Sequence, residues 1–215
     1  MEIRYFSTSI PWAEYEAEWS LGIENRAHVV QFNVQPGDLS AYICERSGEK
    51  KMEKGRWGKS ASDTVLLFNA RREGIFSQNS FRFAMRERRC IVPMDSFYHV
   101  VSHPVDGVSA YRVKPRNSKP SFAAALYSED GSFFTLITRK VRSRIGDLID
   151  RTPVLLESKD DIQTWLTTKS MSQLDVLLNQ DKTAWDFYVI SSEIVHNVNS
   201  PILHEARHKD LTLFD

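Results

Sequence analysis

The chain of 215 residues is poor in cysteine, with only Cys44 and Cys90. Two thiols are too few for a disulfide scaffold or a cysteine-rich zinc site, and both read as buried thiols of a reduced, cytosolic protein. Net charge is also lacking: 28 Lys and Arg stand against 28 Asp and Glu. Global charge therefore selects neither nucleic acid nor membrane as a partner. No apolar run approaches the roughly 18 residues that span a bilayer, and the N-terminus has neither a basic lead nor an apolar signal core. No Gly-rich phosphate loop is present, and neither Ser96 nor Ser191 sits in a nucleophile elbow.

What the chain does have is 41% hydrophobic residues, enough for one sizeable core, and one domain over 1–215 is expected. Short β-like runs dominate: Val29–Val34, Val65–Phe68, Cys90–Pro93, Phe97–Val101, Ser109–Val113, Ser121–Tyr127, Phe133–Thr138 and Trp185–Ile190. Helical patterns fall at Ser9–Trp19, Phe81–Arg88, Arg142–Ile149, Asp160–Trp165 and Ser172–Leu178, while Ser47–Lys54 and Ser102–Gly107 read as exposed loops. The class is α+β: a mainly antiparallel, barrel-like sheet core with short flanking helices.

Charge is unevenly spread. Arg71, Arg72, Arg82, Arg86, Arg88 and Arg89 face only Glu73 and Glu87 in their stretch, and Arg139, Lys140, Arg142 and Arg144 follow without an acid. That asymmetry suits a basic groove on a neutral protein; a solvated charged face is the competing reading. Histidines at His99 and His103, and at His204 and His208, have spacing compatible with zinc, but no cysteine or acid completes either set, and no metal or other cofactor is expected.

In order along the chain come Asn33-Val34-Gln35-Pro36-Gly37, Arg56-Trp57-Gly58, Asn69-Ala70-Arg71-Arg72-Glu73, Ser80-Phe81-Arg82, Arg89-Cys90-Ile91-Val92-Pro93, Leu136-Ile137-Thr138, Asp150 to Leu156 and Trp165-Leu166. Taken together, these motifs resemble the SOS response-associated peptidase family, whose members recognise abasic sites in single-stranded DNA. The resemblance spreads over nearly the whole length. It implies a DNA-damage role in the cytoplasm, at the nucleoid when DNA is bound, and a monomer that uses one groove for single-stranded or abasic DNA.

At the reactive positions the chain departs from the family pattern. The family's cysteine follows the initiator Met, and its amine and thiol condense with the abasic aldehyde into a thiazolidine crosslink. Here Met1-Glu2 precedes Ile3-Arg4, so Glu2 takes the cysteine's place, and a side chain of that size is expected to block Met1 removal. His99 replaces the family glutamate and Ile149 the family histidine, leaving Asn69 of the reactive set.

The resemblance therefore implies a binding scaffold that does not form the crosslink. Asn69 would orient a sugar or aldehyde oxygen, and Arg4, Arg71, Arg82 and Arg151 would neutralise phosphates beside Pro36. Trp57 reads equally as a base-stacking platform and as a core side chain. The arginines read equally as partners of Glu73, Glu87, Asp147 or Asp150. Two alternatives stay open. In one, the Met1 α-amine forms a Schiff base with His99 as proton shuttle. In the other, the groove has lost DNA and serves protein interaction.

Overall fold

A computed structural model of the chain describes residues 3–62, 65–103, 107–141, 146, 149–196 and 199–205. In chain order the strands are β1 (Tyr5–Thr8), β2 (Gln31–Val34), β3 (Leu39–Arg46), β4 (Glu49–Trp57), β5 (Lys59–Ser62), β6 (Val65–Leu67), β7 (Asn69–Arg71), β8 (Arg89–Pro93), β9 (Ser96–His103), β10 (Gly107–Pro115), β11 (Phe122–Tyr127), β12 (Phe133–Lys140), β13 (Arg151–Pro153), β14 (Leu155–Leu156) and β15 (Trp185–Ile190). The helices are α1 (Trp12–Trp19), α2 (Asn79–Glu87), α3 (Lys159–Thr167) and α4 (Met171–Asn179). The larger sheet runs β13-β12-β4-β3-β8-β11-β14, with β7 on β12, and it closes on itself where β11 also pairs with β12. A second sheet runs β15-β10-β9-β1-β2. The expected α+β, barrel-like core is thus what forms.

Side chains alternate across the larger sheet as a period of two requires. Ile43 and Ile91 point to a core shared with Trp12, Tyr15, Phe81, Met85, Trp165 and Leu174 of the helices. Their neighbours Cys44 and Cys90 point the other way, to Phe6, Phe97, Val113 and Trp185 of the second sheet. Both thiols are buried, as expected. Arg89 is only 5% exposed. In place of an acid, its guanidinium donates to the carbonyls of Met85 and Arg86 at the end of α2 and of Trp165 and Thr168 at the end of α3. A cation set against the negative ends of two helices satisfies orphan carbonyls and both dipoles at once.

Residues Ser47–Lys54 are not the loop expected. They turn and continue as β4, paired with β3 from Leu39↔Arg56 to Arg46↔Glu49. Ser47 (φ 56°) and Gly48 (φ 80°) make a two-residue turn with positive φ at both centres, the connection that matches strand twist. The charges of β4 hid the strand: Glu49, Lys51 and Lys54 are exposed while Met52 and Trp57 are buried. The expected loop Ser102–Gly107 likewise gives way to strand at its ends, in β9 and β10; 104–106 lie outside the described residues, as do most of the expected helix over 142–149. Among the described residues no helix is long and apolar enough to cross a membrane.

One buried acid ties the N-terminal strand to this frame. Asp95, between β8 and β9, accepts hydrogen bonds from the Ser7, Ser9 and Ser96 hydroxyls, from the Ser9 and Ile10 amides, and from Arg112 at 3.3 Å. β1 is thereby fixed against β9 in the register Tyr5↔Tyr98, Phe6↔Phe97, Ser7↔Ser96.

Candidate nucleic-acid interface

β12 runs on past the pairing of β11 and β4, and its last residues are flanked by two short strands. β7 pairs parallel to it (Leu136↔Asn69, Ile137↔Ala70, Thr138↔Arg71), and β13 pairs antiparallel (Thr138↔Pro153, Arg139↔Thr152, Lys140↔Arg151). The junction brings Arg71, Lys140 and Arg151 to one cleft of about 450 Å³, completed by Val141, Gly146, Ile149 and Asp150. The Val141 amide donates to the Asp150 carbonyl at 3.0 Å, closing the neck of the segment between them. Three cations against one carboxylate make the cleft's lining basic on a neutral protein.

Arg151 is held rigidly. Its Nε donates to Thr138 Oγ1 (3.1 Å), and its Nη2 donates to the Thr138 carbonyl (2.8 Å) and to Glu73 Oε2 (2.7 Å). Glu73 Oε1 also accepts the Lys140 amide at 2.8 Å. Burial alone would raise the Glu73 pKa, but the bonds from Arg151 and the Lys140 amide outweigh it and hold the carboxyl below its usual range. The expectation that arginines pair with local acids is met here, and Arg151 contributes direction more than uncompensated charge.

Asn69 is 7% exposed. Its amide nitrogen donates to the Ile3 carbonyl at 2.7 Å, pinning the chain just before β1, while Oδ1 is buried with no partner among the described residues. Arg4 is exposed and lies over the Phe68 ring, 5.9 Å from its centre. One step back from Tyr5↔Tyr98, the strand register brings Arg4 level with His99. His99 packs against its cross-strand partner Tyr111, ring centres 6.5 Å apart. Burial lowers its pKa, and the nearby Asp150 carboxylate only partly opposes that shift, so His99 is a neutral imidazole near pH 7. Met1 and Glu2 lie outside the described residues.

Of the candidates only Arg71 and Arg151 line the cleft; Asn69, Arg4 and His99 are not part of its lining, and neither are Trp57, Pro36 and Arg82. Trp57 is not a stacking platform: it is wholly buried, set edge-on to Phe6 and Phe68, and its Nε1 donates to the Phe68 carbonyl at 2.8 Å. A large apolar ring with one N–H is satisfied better in the core, where it buttresses the residue preceding Asn69. Pro36 occupies a turn whose Gly37 (φ 99°) donates to the Trp57 carbonyl at 2.8 Å, so it shapes the loop beside Trp57. Arg82 is exposed on α2 and is absent from the cleft's lining. Ile149, at the position of the family histidine, is 2% exposed and belongs to the apolar core beneath the cleft.

Lys140 belongs to the basic run expected to suit a groove and Asp150 to the acids expected near the arginines, but neither was singled out as a site residue; both line the cleft. Arg139 itself instead pairs with Asp181 at 2.6 Å. His204 bonds the Tyr98 hydroxyl at 3.0 Å; His208 lies outside the described residues. No group of three or more potential metal ligands occurs among the described residues.

The fold defines the class: a single α+β domain built on a closed, mainly antiparallel sheet, with a basic cleft where β7 and β13 flank the end of β12. Comparison with known proteins makes this specific. The profile described as "SOS response associated peptidase (SRAP)" matches residues 1–198, and the chain belongs to that family. It is 30% identical over 191 residues to the abasic site processing protein YobE of Bacillus subtilis, covering 81% of this chain and 85% of YobE. It is likewise 30% identical over 186 residues to the abasic site processing protein YoqW of Bacillus phage SPbeta, covering 79% and 81%. Among solved structures, a protein from Bacteroides thetaiotaomicron superposes with a TM-score of 0.76 at 20% identity, covering 94% of this chain and 99% of that one. A phage-related protein from Bordetella bronchiseptica gives 0.71 at 18% identity, covering 88% and 94%.

Proposed function

We propose that the chain binds single-stranded DNA at abasic sites in the cleft between β7, β13 and Asp150, and holds it without the thiazolidine crosslink. The observation carrying this reading is the convergence of Arg71, Lys140 and Arg151 on one cleft, with Asn69 two residues before Arg71 on β7. Names of relatives at 30% identity support abasic-site DNA as the partner. Glu2 supports the absence of the crosslink, because a thiazolidine needs amine and thiol on one residue and a carboxylate supplies no sulfur.

The test titrates the protein with a single-stranded oligonucleotide, abasic or intact, across salt, followed by denaturing gel with and without borohydride. Expected are tighter binding to the abasic strand, affinity that falls with salt, and no adduct on the denaturing gel. Absence of binding at low salt would reject the DNA reading. An adduct trapped by borohydride and abolished by N-terminal acetylation would instead establish imine chemistry at a terminal amine.

A further inference from the structure

The structure sorts the six arginines between Arg71 and Arg89 by task. Arg71 lines the cleft, Arg72 pairs with Asp175 at 2.9 Å, and Arg89 caps helix ends in the interior. Arg82 and Arg86 remain on α2, both exposed, and neither guanidinium has an acid partner among the described residues. The helix buries Phe81, Ala84 and Met85 against the sheet. Its opposite stripe, at spacing i, i+3, i+4, i+7, reads Asn79, Arg82, Phe83, Arg86, so these side chains form one continuous outward face.

Phe83 on this stripe is 59% exposed, a costly place for an aromatic ring. One side of the ring is backed by the Arg88 guanidinium, 4.6 Å from its centre, and Arg88 in turn meets Glu129 at 3.8 Å. A braced aromatic surface between two cations one helical turn apart is complementary to a nucleotide strand: the ring offers a flat face to any base, and the cations take phosphates. On a chain of zero net charge, this pair marks a local site rather than a global excess.

We propose that this face of α2 is a second contact for single-stranded DNA, stacking one base on Phe83 and holding flanking phosphates with Arg82 and Arg86. The inference rests on the DNA-binding reading of the cleft and extends it along a longer strand. α2 begins eight residues after Arg71, joined through a turn in which the Gln78 amide donates to the Gly74 carbonyl at 3.0 Å.

The full chain is titrated with a short abasic oligonucleotide of about six nucleotides and a single strand of about twenty, for the unmodified protein, Phe83→Ala and Arg86→Gln. Loss of one stacked base weakens binding roughly 5- to 100-fold, and loss of one phosphate contact lowers the salt slope by about 0.7. The expected result is weakening of the long strand only, with the short oligonucleotide unchanged, and photo-crosslinking of a bromouracil strand to the peptide containing Phe83. Unchanged long-strand binding with no crosslink in α2 would overturn the inference while leaving the cleft intact as a DNA site. No binding of either oligonucleotide by the unmodified protein would overturn both.

Discussion

Glu73 holds Arg151 across 2.7 Å while its other carboxylate oxygen holds the backbone of Lys140, so one acid fixes two of the three cations of the cleft. Arg151 is 7% exposed at its side chain, and Glu73 is 38% exposed. Removing Glu73 therefore leaves a buried guanidinium without its counter-charge, although the acid's access to water softens the loss. Glu73→Ala is expected to cost about 1–2 kcal/mol by urea denaturation at pH 7. Because the folded-state pKa of Glu73 is depressed, the stabilisation is present above the unfolded carboxylate value near 4.3 and fades as pH falls through the folded value. The gap between the unmodified protein and Glu73→Ala should then narrow as pH falls below the unfolded value; a gap that stays constant through the acid range would refute the ion pair.

Trp57→Ala distinguishes a core residue from a stacking platform. Loss of a wholly buried tryptophan is expected to cost about 3–5 kcal/mol, and it also removes the donor to the Phe68 carbonyl. DNA affinity per folded molecule should change little in Trp57→Phe, which keeps an aromatic ring there. Thermal melts and titrations on the same samples decide: normal melting with lost affinity would return Trp57 to the interface.

Legibility followed patterning. Strands such as Phe122–Tyr127 and Trp185–Ile190 were plain because apolar residues fill them or bound them, whereas β4 was missed because its exposed side carries alternating charge although the strand lies between β12 and β3. Asn69, Arg71 and Arg151 were found through motifs, and pairing along β12 brings them together. Trp57 could not be resolved in advance, since an indole serves a core and a base equally well and only burial separates the two. The hub at Asp95 was invisible because, apart from the adjacent Ser96, its donors come from Ser7, Ser9 and Arg112, distant in sequence and brought to it by the fold.

His99 offers a pH reading of the cleft. Burial lowers its pKa with Asp150 opposing, so its NMR titration midpoint should fall below the usual 6.5. A folded-state value below the unfolded one means that the unfolded chain binds the proton first. Stability contributed by neutral His99 is therefore complete above about pH 6.5 and lost as pH falls toward the folded value. Asp150→Asn removes the opposing charge and should move the midpoint lower still. A midpoint above 6.5, or an upward move in Asp150→Asn, would contradict this placement.

Asp95 makes the sharpest stability prediction, because asparagine is no conservative replacement there. Oδ1 accepts from the Ser7 and Ser96 hydroxyls and from Arg112, while Oδ2 accepts from the amides of Ser9 and Ile10 and from the Ser9 hydroxyl. A serine hydroxyl can rotate to accept, but a backbone amide and a guanidinium cannot. Either orientation of the side-chain amide introduced by Asp95→Asn thus sets its NH₂ against a fixed donor, and Arg112, 12% exposed at its side chain, loses its counter-charge. Asp95→Asn and Asp95→Ala should each cost about 3–5 kcal/mol, which lowers Tm by roughly 6–20 °C for a chain of this size. Calorimetry that finds Asp95→Asn within about 1 kcal/mol of the unmodified protein would show that charge and double acceptance at this position do not anchor β1.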